Sequence, residues 1–81
     1  MDNNYDLKLF YFSTCPYCKK VLNFMEENNI EIPLKNIRKD KKAARELKNK
    51  GGKKQVPCLF INGKPLYESD DIINWLKENY I

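Results

Sequence analysis

Apolar and polar residues along the chain form short strand-like runs that alternate with longer helix-like segments. The first run, Asp6 to Phe12, is rich in aromatic and aliphatic residues, which predicts a central strand buried on both faces toward its end. From Pro16 to about Asn28, apolar residues recur every three or four positions, which predicts a helix. The inner face of this helix carries Cys18, Val21, Leu22 and Met25.

The middle of the chain predicts a half-exposed strand and a helix with a thin apolar face. Residues Ile30 to Ile37 alternate in polarity, but Pro33 cannot donate to a sheet, so the strand should lie at a sheet edge or start just after the proline. Asp40 is the expected N-cap of a helix from Lys41 to Lys50, which Gly51-Gly52 ends. The apolar face of this helix holds only Ala43, Ala44 and Leu47, so it should be the least well buried element.

The last third of the chain predicts a hairpin followed by a helix. Val56 to Ile61 is a buried strand, Asn62-Gly63 is a strong hairpin signal, and Lys64 to Tyr67 is the return strand. Ser69 is the expected cap of the last helix, whose first turn carries Asp70 and Asp71, as the helix dipole favours.

The resulting order, β-α-β-α-β-β-α, predicts an α/β fold in one domain over residues 1–81. A right-handed crossover should join a parallel pair of strands, with the hairpin added antiparallel to that pair. A chain of 81 residues supports one modest core, and 42% hydrophobic with 32% charged residues is ordinary for a globular protein.

Charge and hydropathy narrow the location and the partners. The polar, acidic start and the lack of a long apolar stretch predict no signal peptide and no membrane span, hence a cytoplasmic protein. The net charge is +4, and ten of the fifteen Lys and Arg residues lie between Lys35 and Lys54. Because this stretch lacks interleaved aromatic residues, a solvated helix face beside an anion site is favoured over a nucleic-acid surface or a membrane surface.

The segment Cys15-Pro16-Tyr17-Cys18 lies between the first strand and the first helix. Two cysteines with this spacing at such a junction are the usual site of thiol–disulfide exchange. If the helix begins at the proline, Cys15 is its N-cap, and the N–H groups of the first turn, with Lys19 and Lys20 nearby, stabilise a thiolate there. Cys15 is therefore the predicted nucleophile, and Cys18 is the predicted resolving thiol.

Two non-catalytic interpretations of the cysteines are less consistent with the sequence. A structural zinc site normally needs four ligands, whereas this chain has three cysteines and no histidine, so no metal site is expected. A disulfide across a four-residue loop closes too little chain to stabilise the fold. The third cysteine, Cys58, is expected to be a small buried hydrophobe, with a regulatory thiol as the alternative.

The predicted order of elements, with the cysteine motif after the first strand, resembles a thioredoxin-fold protein and specifically a glutaredoxin. The resemblance spans about Leu7 to Tyr80. It is carried by Cys15-Pro16-Tyr17-Cys18, by Val56-Pro57, and by Asn62-Gly63-Lys64 followed by Ser69-Asp70-Asp71. It implies a thioredoxin-like fold, in which a four-stranded mixed sheet is flanked by three helices, and a cis Pro57 opposite the nucleophile.

The resemblance also implies that glutathione is the co-substrate and that no cofactor is tightly bound. The backbone of Val56 should pair with the cysteinyl part of glutathione. The turn of Ser69, Asp70 and Asp71 should hold the γ-glutamyl end, with helix N–H groups on its carboxylate and an aspartate on its amine.

Three positions depart from the pattern of the family. A basic residue often stands three positions before the nucleophile, and here it is Phe12, so Lys54 is the leading candidate to hold the glycyl carboxylate. Further candidates are Lys19, Lys53 and Gln55, of which Gln55 stands where the family often has Thr. Tyr67-Glu68 replaces a common Gly-Gly, and Glu68-Ser69 looks instead like the site of the glutathione S-transferase N-terminal domain. Tyr17 and Tyr67 should wall the groove.

The function implied by the resemblance is reduction of protein disulfides and glutathionylated proteins by a cytoplasmic monomer, supplied indirectly by an NADPH-dependent reductase system. One alternative is a glutathione-independent reductant served by a thioredoxin-reductase-type enzyme, which the loss of a cation at Phe12 makes credible. Another is an iron–sulfur carrier, a dimer that holds a cluster between two Cys15 thiolates. Pro16 beside the nucleophile argues against that carrier.

Overall fold

The computed structural model describes residues 5–80 as four strands and three helices. These are β1 (Leu7–Tyr11), α1 (Pro16–Glu27), β2 (Leu34–Asn36), α2 (Lys41–Gly51), β3 (Cys58–Ile61), β4 (Lys64–Tyr67) and α3 (Ser69–Tyr80). This order confirms the predicted sequence of elements. The first four residues, which contribute to the prediction that no signal peptide is present, lie outside the described range, as does residue 81.

The four strands form one mixed sheet in the order β2-β1-β3-β4. Strand β2 pairs with β1 in parallel, and β3 pairs antiparallel with both β1 and β4. Pro33 shapes the edge of the sheet: β2 begins directly after it, and its carbonyl accepts a hydrogen bond from the N–H of Leu9 at 2.9 Å. The prediction of a short edge strand after the proline is confirmed.

The hairpin turn and the cap of α2 also follow the sequence. Asn62 and Gly63 have φ values of +52° and +85°, which fits a turn that needs two left-handed residues. Asp40 accepts a hydrogen bond from the N–H of Lys42 at 2.9 Å and so caps α2. Gly52, at φ +83°, ends that helix.

Most predicted boundaries differ from the structure by no more than about one residue, and two differences bear on the site. Strand β3 begins at Cys58 and not at Val56, because Pro57 has no N–H to contribute to the ladder. Helix α3 includes Ser69, and the N–H of Ile72 bonds to the carbonyl of Glu68 at 3.0 Å. Ser69 is therefore a residue of the first turn of α3. The N-cap position, which was predicted for Ser69, is occupied by Glu68.

The two faces of the sheet carry separate apolar clusters. Alternation along β1 sends Leu7 and Leu9 into a larger cluster with α1 and α3, and it sends Phe10 into a smaller cluster with α2. The smaller cluster consists of Phe10, Ala43, Leu47, Cys58 and Phe60. Each fully buried leucine or phenylalanine contributes roughly 1.5–3 kcal/mol to stability. Helix α2 buries only Ala43 and Leu47, which agrees with its thin predicted face.

Candidate active site

Cys15 occupies the N-cap of α1, at the point where the chain leaves β1 for the helix. Its backbone is extended, with φ −83° and ψ 116°, and its Sγ accepts a hydrogen bond from the N–H of Cys18 at 3.2 Å. The carbonyl of Cys15 accepts from the N–H of Lys19 at 3.0 Å. The predicted contact between the sulfur and the first turn of the helix is therefore confirmed for Cys18. Only 6% of Cys15 is exposed, so an attacking partner must approach along one side.

Cys18 lies behind Cys15 and is fully buried. Burial, followed by a hydrogen bond with the side chain of Cys15, raises the pKa of Cys18 to about 12. Cys18 therefore stays protonated at neutral pH. Such a pair, with a slightly exposed cysteine at a helix N-terminus and a fully buried thiol in the first turn, suits stepwise thiol–disulfide exchange.

A groove of about 480 Å³ lies beside the motif. It is lined by Tyr17, Gln55, Val56, Pro57, Glu68, Ser69, Asp70 and Asp71. The resemblance pointed to all of these residues, to Glu68 only through its pairing with Ser69, and they come from three separate segments. The Val56–Pro57 peptide bond is cis, as the resemblance implies.

The start of α3 forms one wall of this groove. Ser69 is nearly buried, with 7% exposed, whereas Asp70 is exposed and its carboxylate forms an ion pair with Nζ of Lys20 from α1. The N–H groups of a first helical turn lack partners within the helix, and here that turn borders the groove. This wall therefore offers N–H donors for an anion and a carboxylate for a cation.

Glu68 and Asp71 complete the lining of the groove. The resemblance placed Asp71 in the turn that should hold the γ-glutamyl end, and it placed Glu68 with Ser69 in a pair similar to the site of the glutathione S-transferase N-terminal domain. Glu68 has φ +73°, and its carboxylate accepts a hydrogen bond from Nε2 of Gln55 at 3.3 Å. A left-handed residue at this position is the conformation that glycine adopts without cost. The replacement of the common Gly-Gly by Tyr67-Glu68 is visible in the sequence. The backbone of Glu68 keeps the conformation that glycine adopts, and its carboxylate is added to the lining of the groove.

The candidate cation Lys54 does not line the groove. It lines two neighbouring hollows, one of which it shares with Phe12, Ile37 and Arg38. The guanidinium carbon of Arg38 lies 4.2 Å from the centre of the Phe12 ring. A cation therefore does approach the position of Phe12, but it comes from the segment between β2 and α2. No spacing rule links residues so far apart in the chain, so this contact could not be predicted from the sequence.

Tyr67 is not among the residues that line the groove, so the expectation that it forms a wall is corrected. Its hydroxyl donates hydrogen bonds to the carbonyls of Gly51 at 3.1 Å and Lys53 at 3.0 Å, and Nζ of Lys53 lies 4.5 Å from its ring centre. Tyr67 therefore ties β4 to the end of α2. The neighbouring Cys58 is fully buried, as predicted, and burial raises its pKa to about 11.

Residues 5–80 contain neither a membrane-spanning helix nor a cluster of metal-binding side chains. No helix in that range is long and apolar enough to cross a membrane. Nor does that range bring together three His, Cys, Asp or Glu side chains in an arrangement that would hold a metal ion.

Comparison with known proteins finds relatives among glutathione-related families. The family described as glutathione S-transferase, N-terminal domain, matches residues 9–81. Glutaredoxin 1 of Rickettsia prowazekii is 32% identical over 73 residues, covering 86% of this chain and 76% of the relative.

Solved structures agree on the fold. Glutathione transferase Omega 3C from Trametes versicolor is 26% identical with a TM-score of 0.78, covering 90% of this chain and 33% of that chain. Glutaredoxin C1 from Populus tremula x tremuloides has a TM-score of 0.69 at 19% identity, covering 91% and 76%. Together with the sequence relatives and the cysteine motif on α1, they show that this chain has the thioredoxin-like fold and belongs to the glutaredoxins, as a thiol–disulfide oxidoreductase of that type.

Proposed function

We propose that this protein uses glutathione to reduce protein disulfides and glutathionylated proteins, with Cys15 as the nucleophile and Cys18 as the resolving thiol. The observation that carries the proposal is the groove beside Tyr17, which joins the Val56–Pro57 backbone to the first turn of α3. These are a strand-like edge and an anion-binding helix start, and glutathione has a peptide backbone and a γ-glutamyl carboxylate to match them.

The first cycle acts on a glutathionylated protein. The thiolate of Cys15 attacks the glutathione sulfur, the mixed disulfide breaks, and the protein thiolate leaves with the electron pair and takes a proton from water. Cys15 now carries glutathione through a new disulfide bond. A second glutathione thiolate attacks the bound glutathione sulfur, releasing the Cys15 thiolate and glutathione disulfide. A separate NADPH-dependent reductase then restores glutathione.

The second cycle acts on a protein disulfide. Cys15 attacks one sulfur of the disulfide and forms a mixed disulfide with the protein. Cys18 loses its proton and attacks Sγ of Cys15, which releases the protein as a dithiol and leaves a Cys15–Cys18 disulfide for glutathione to reduce. Capture by glutathione competes with this resolving step, because the buried Cys18 must first lose its proton.

The residues around the groove suggest one orientation for glutathione. The Val56 backbone pairs with the cysteinyl part, and the first turn of α3 at Ser69 takes the γ-glutamyl carboxylate. The carboxylate of Asp70 binds the amino group of glutathione. That amino group then either displaces Lys20 from Asp70 or shares the carboxylate with it. At the other end, Gln55 lines the groove and is the candidate partner of the glycyl carboxylate, with Lys54, next to it in sequence but outside the groove lining, as the candidate cation.

The test is glutathione-coupled reduction of a small mixed disulfide, comparing the unmodified protein with three cysteine variants. Cys15→Ser should reduce the activity at least about a thousandfold, since an unactivated serine hydroxyl is a very weak nucleophile at neutral pH. Cys18→Ser should keep turnover with this substrate, and Cys58→Ser serves as the control for removal of a cysteine outside the motif. Equal losses from Cys15→Ser and Cys58→Ser would contradict the assigned roles.

The groove is tested separately by Asp70→Asn. We expect KM for glutathione to rise about three- to tenfold with kcat little changed, because a charged contact made in ground state and transition state alike is lost. The matched control is Glu78→Gln, which removes a carboxylate from an exposed position on the last turns of α3. An unchanged KM in Asp70→Asn would place glutathione elsewhere.

A second candidate function is supported by the carboxylates of Glu68, Asp70 and Asp71, which line the groove and disfavour an anionic tripeptide. In that case the protein is a glutathione-independent reductant that a thioredoxin-reductase-type enzyme supplies. Turnover with NADPH and such a reductase, in the absence of glutathione, would favour it. Either cycle needs a reducing compartment, which accords with the cytoplasmic location expected from the sequence.

A further inference from the structure

A continuous basic surface lies next to the active-site groove. We call it the basic platform and define it by Arg38, Lys41, Arg45, Lys48 and Lys54, all of them exposed. These side chains line two hollows of about 500 and 290 Å³, and the two hollows share Ile37 and Lys54. Because the hollows meet at these two residues, the five cations border one surface.

The positive charge of the basic platform is not neutralised by its own helix. Lys41, Arg45 and Lys48 follow each other on one face of α2 at three- to four-residue spacing. Glu46 lies on another face, where it pairs with Nζ of Lys8 and Nζ of Lys50, each at 3.3 Å. The ion pairs found in residues 5–80 involve Lys8, Lys20 and Lys50, and no cation of the platform takes part in one.

The basic platform lies close to Cys15 and the groove, as two local connections show. Lys54 directly precedes Gln55, whose side chain lines the groove. Phe12, which shares a hollow with Arg38, accepts a hydrogen bond through its carbonyl from the N–H of Cys15 at 3.3 Å. A chain held on the platform by charge would therefore lie alongside the entrance to Cys15.

We propose that the basic platform docks an acidic segment of the protein whose disulfide Cys15 reduces. The inference rests on the disulfide-reducing part of the proposed function. Clustered unpaired cations raise the rate of encounter with an Asp- and Glu-rich chain and fix its orientation. A nucleic acid is the weaker match, since single strands bind by stacking on exposed rings, and the ring of Phe12, which shares a hollow with the platform, already has Arg38 over its face.

The test compares two peptides that differ only in charge. Each is joined to glutathione through its single cysteine, and one carries a Glu-rich tail where the other carries a Gln-rich tail. The unmodified protein should favour the Glu-rich peptide in kcat/KM by about tenfold at low salt, and the preference should shrink as salt screens the charges. In the platform variant Lys41→Gln/Arg45→Gln/Lys48→Gln, we expect most of that preference to vanish.

The matched control is Lys42→Gln/Lys64→Gln/Lys77→Gln, which removes the same net charge from exposed positions outside the basic platform. It should keep the preference. All three proteins should reduce the Gln-rich peptide equally, because none of the six altered residues lies in the groove. Equal loss of preference in both triple variants, or no preference in the unmodified protein, would overturn the docking proposal.

A binding measurement separates docking from chemistry. Fluorescence anisotropy of a labelled Glu-rich peptide without cysteine should report binding that the platform variant loses and the control variant keeps. If the Gln-rich substrate is not turned over with glutathione, the proposed function fails while this measurement still tests docking. If a labelled single-stranded oligonucleotide shows that same pattern and the peptide does not bind, the platform is a nucleic-acid surface and the proposal is wrong.

Discussion

The N–H of Cys18 donates a hydrogen bond to Sγ of Cys15 at 3.2 Å, so the two sulfur-bearing residues of the motif are in contact and yet differ in exposure. Cys15 keeps 6% of its surface exposed at the helix N-terminus, whereas Cys18 is fully buried and keeps its proton because burial raises its pKa to about 12. Under the proposed function, this difference predicts that Cys15 reacts with an external disulfide before Cys18 takes part.

This difference predicts selective alkylation of the reduced protein. Brief treatment with iodoacetamide near pH 7.5 should modify Cys15 at least about a hundredfold faster than Cys18 or Cys58, because only thiolates react and both buried thiols hold raised pKa values. Peptide mapping by mass spectrometry gives the rates. The denatured chain is the control, in which all three cysteines should react, and labelling of Cys18 as fast as Cys15 in the folded protein would refute the prediction.

Cys58 should make the fold less stable in alkaline solution. Burial raises the pKa of its thiol to about 11, against ~8.5 for an unfolded chain. The unfolded state therefore loses this proton first, so stability is intact below pH ~8.5 and falls by roughly 2–3 kcal/mol as pH rises toward 11.

Urea unfolding of the unmodified protein and of Cys58→Ala, at neutral pH and at several pH values up to 11, measures this effect. The variant should be less stable at neutral pH, because it leaves a small cavity, but its stability should fall less steeply above pH ~9. The pKa of Tyr67 is raised by burial and also by the neighbouring Cys58, so the difference in slope reports Cys58 together with its coupling to Tyr67. Parallel curves would show that Cys58 does not contribute.

Glu68 predicts a stabilising substitution. Its φ of +73° costs a residue with a Cβ about 1 kcal/mol, so Glu68→Gly should raise the free energy of unfolding by up to about 0.6 kcal/mol after the added flexibility of the unfolded chain is subtracted. The control is Asn62→Gly. Asn62 is also left-handed, but its side chain accepts a hydrogen bond from the N–H of Asp6 at 2.8 Å, so this change should not stabilise. Thermal unfolding of both variants decides the point, and destabilisation by Glu68→Gly would mean that its carboxylate matters more than its backbone.

Gly51 and Tyr67 form a second testable pair. A Cβ at Gly51 would lie 2.3 Å from the Tyr67 hydroxyl, so Gly51→Ala should cost about 1–2 kcal/mol despite the better helix propensity of alanine. Tyr67→Phe removes both the hydroxyl and its hydrogen bonds to the carbonyls of Gly51 and Lys53.

In the Tyr67→Phe background, Gly51→Ala should become neutral or stabilising by up to about 1 kcal/mol, because the obstructing atom is gone and only the gain in helix propensity remains. Denaturant unfolding of the four proteins completes the double-mutant cycle. An equal cost of Gly51→Ala in both backgrounds would show that the hydroxyl does not limit this position.

The parts of the fold that could be predicted from sequence are those set by local chemistry. Pro33 places the start of β2 because it has no N–H, and Asn62-Gly63 forms the hairpin because both residues tolerate a positive φ. Cys15 caps α1 because the following proline suits a first helical position. Each of these features depends on one to three neighbouring residues.

The features that could not be predicted depend on residues brought together from distant segments. Arg38 lies over Phe12. The Tyr67 hydroxyl bonds to the backbone at the end of α2, although Tyr67 was expected to line the groove. Glu68 enters the groove through a backbone conformation that its side chain does not favour. In each case the side chain had several partners that its chemistry would accept, and only the tertiary fold decides among them.

The uneven covering of the two sheet faces has a consequence for how the molecule opens. One face is covered by α1 and α3 over nine buried residues, and the other by α2 alone over five. Local unfolding should therefore release α2 at a lower free energy than the rest, and amide hydrogen exchange in α2 should outpace exchange in α1 and α3. The cysteine motif lies in the better-covered layer and would keep its shape during this opening. The amide hydrogens of α2, which carries Lys41, Arg45 and Lys48, would exchange, and a partner bound to these residues would slow their exchange.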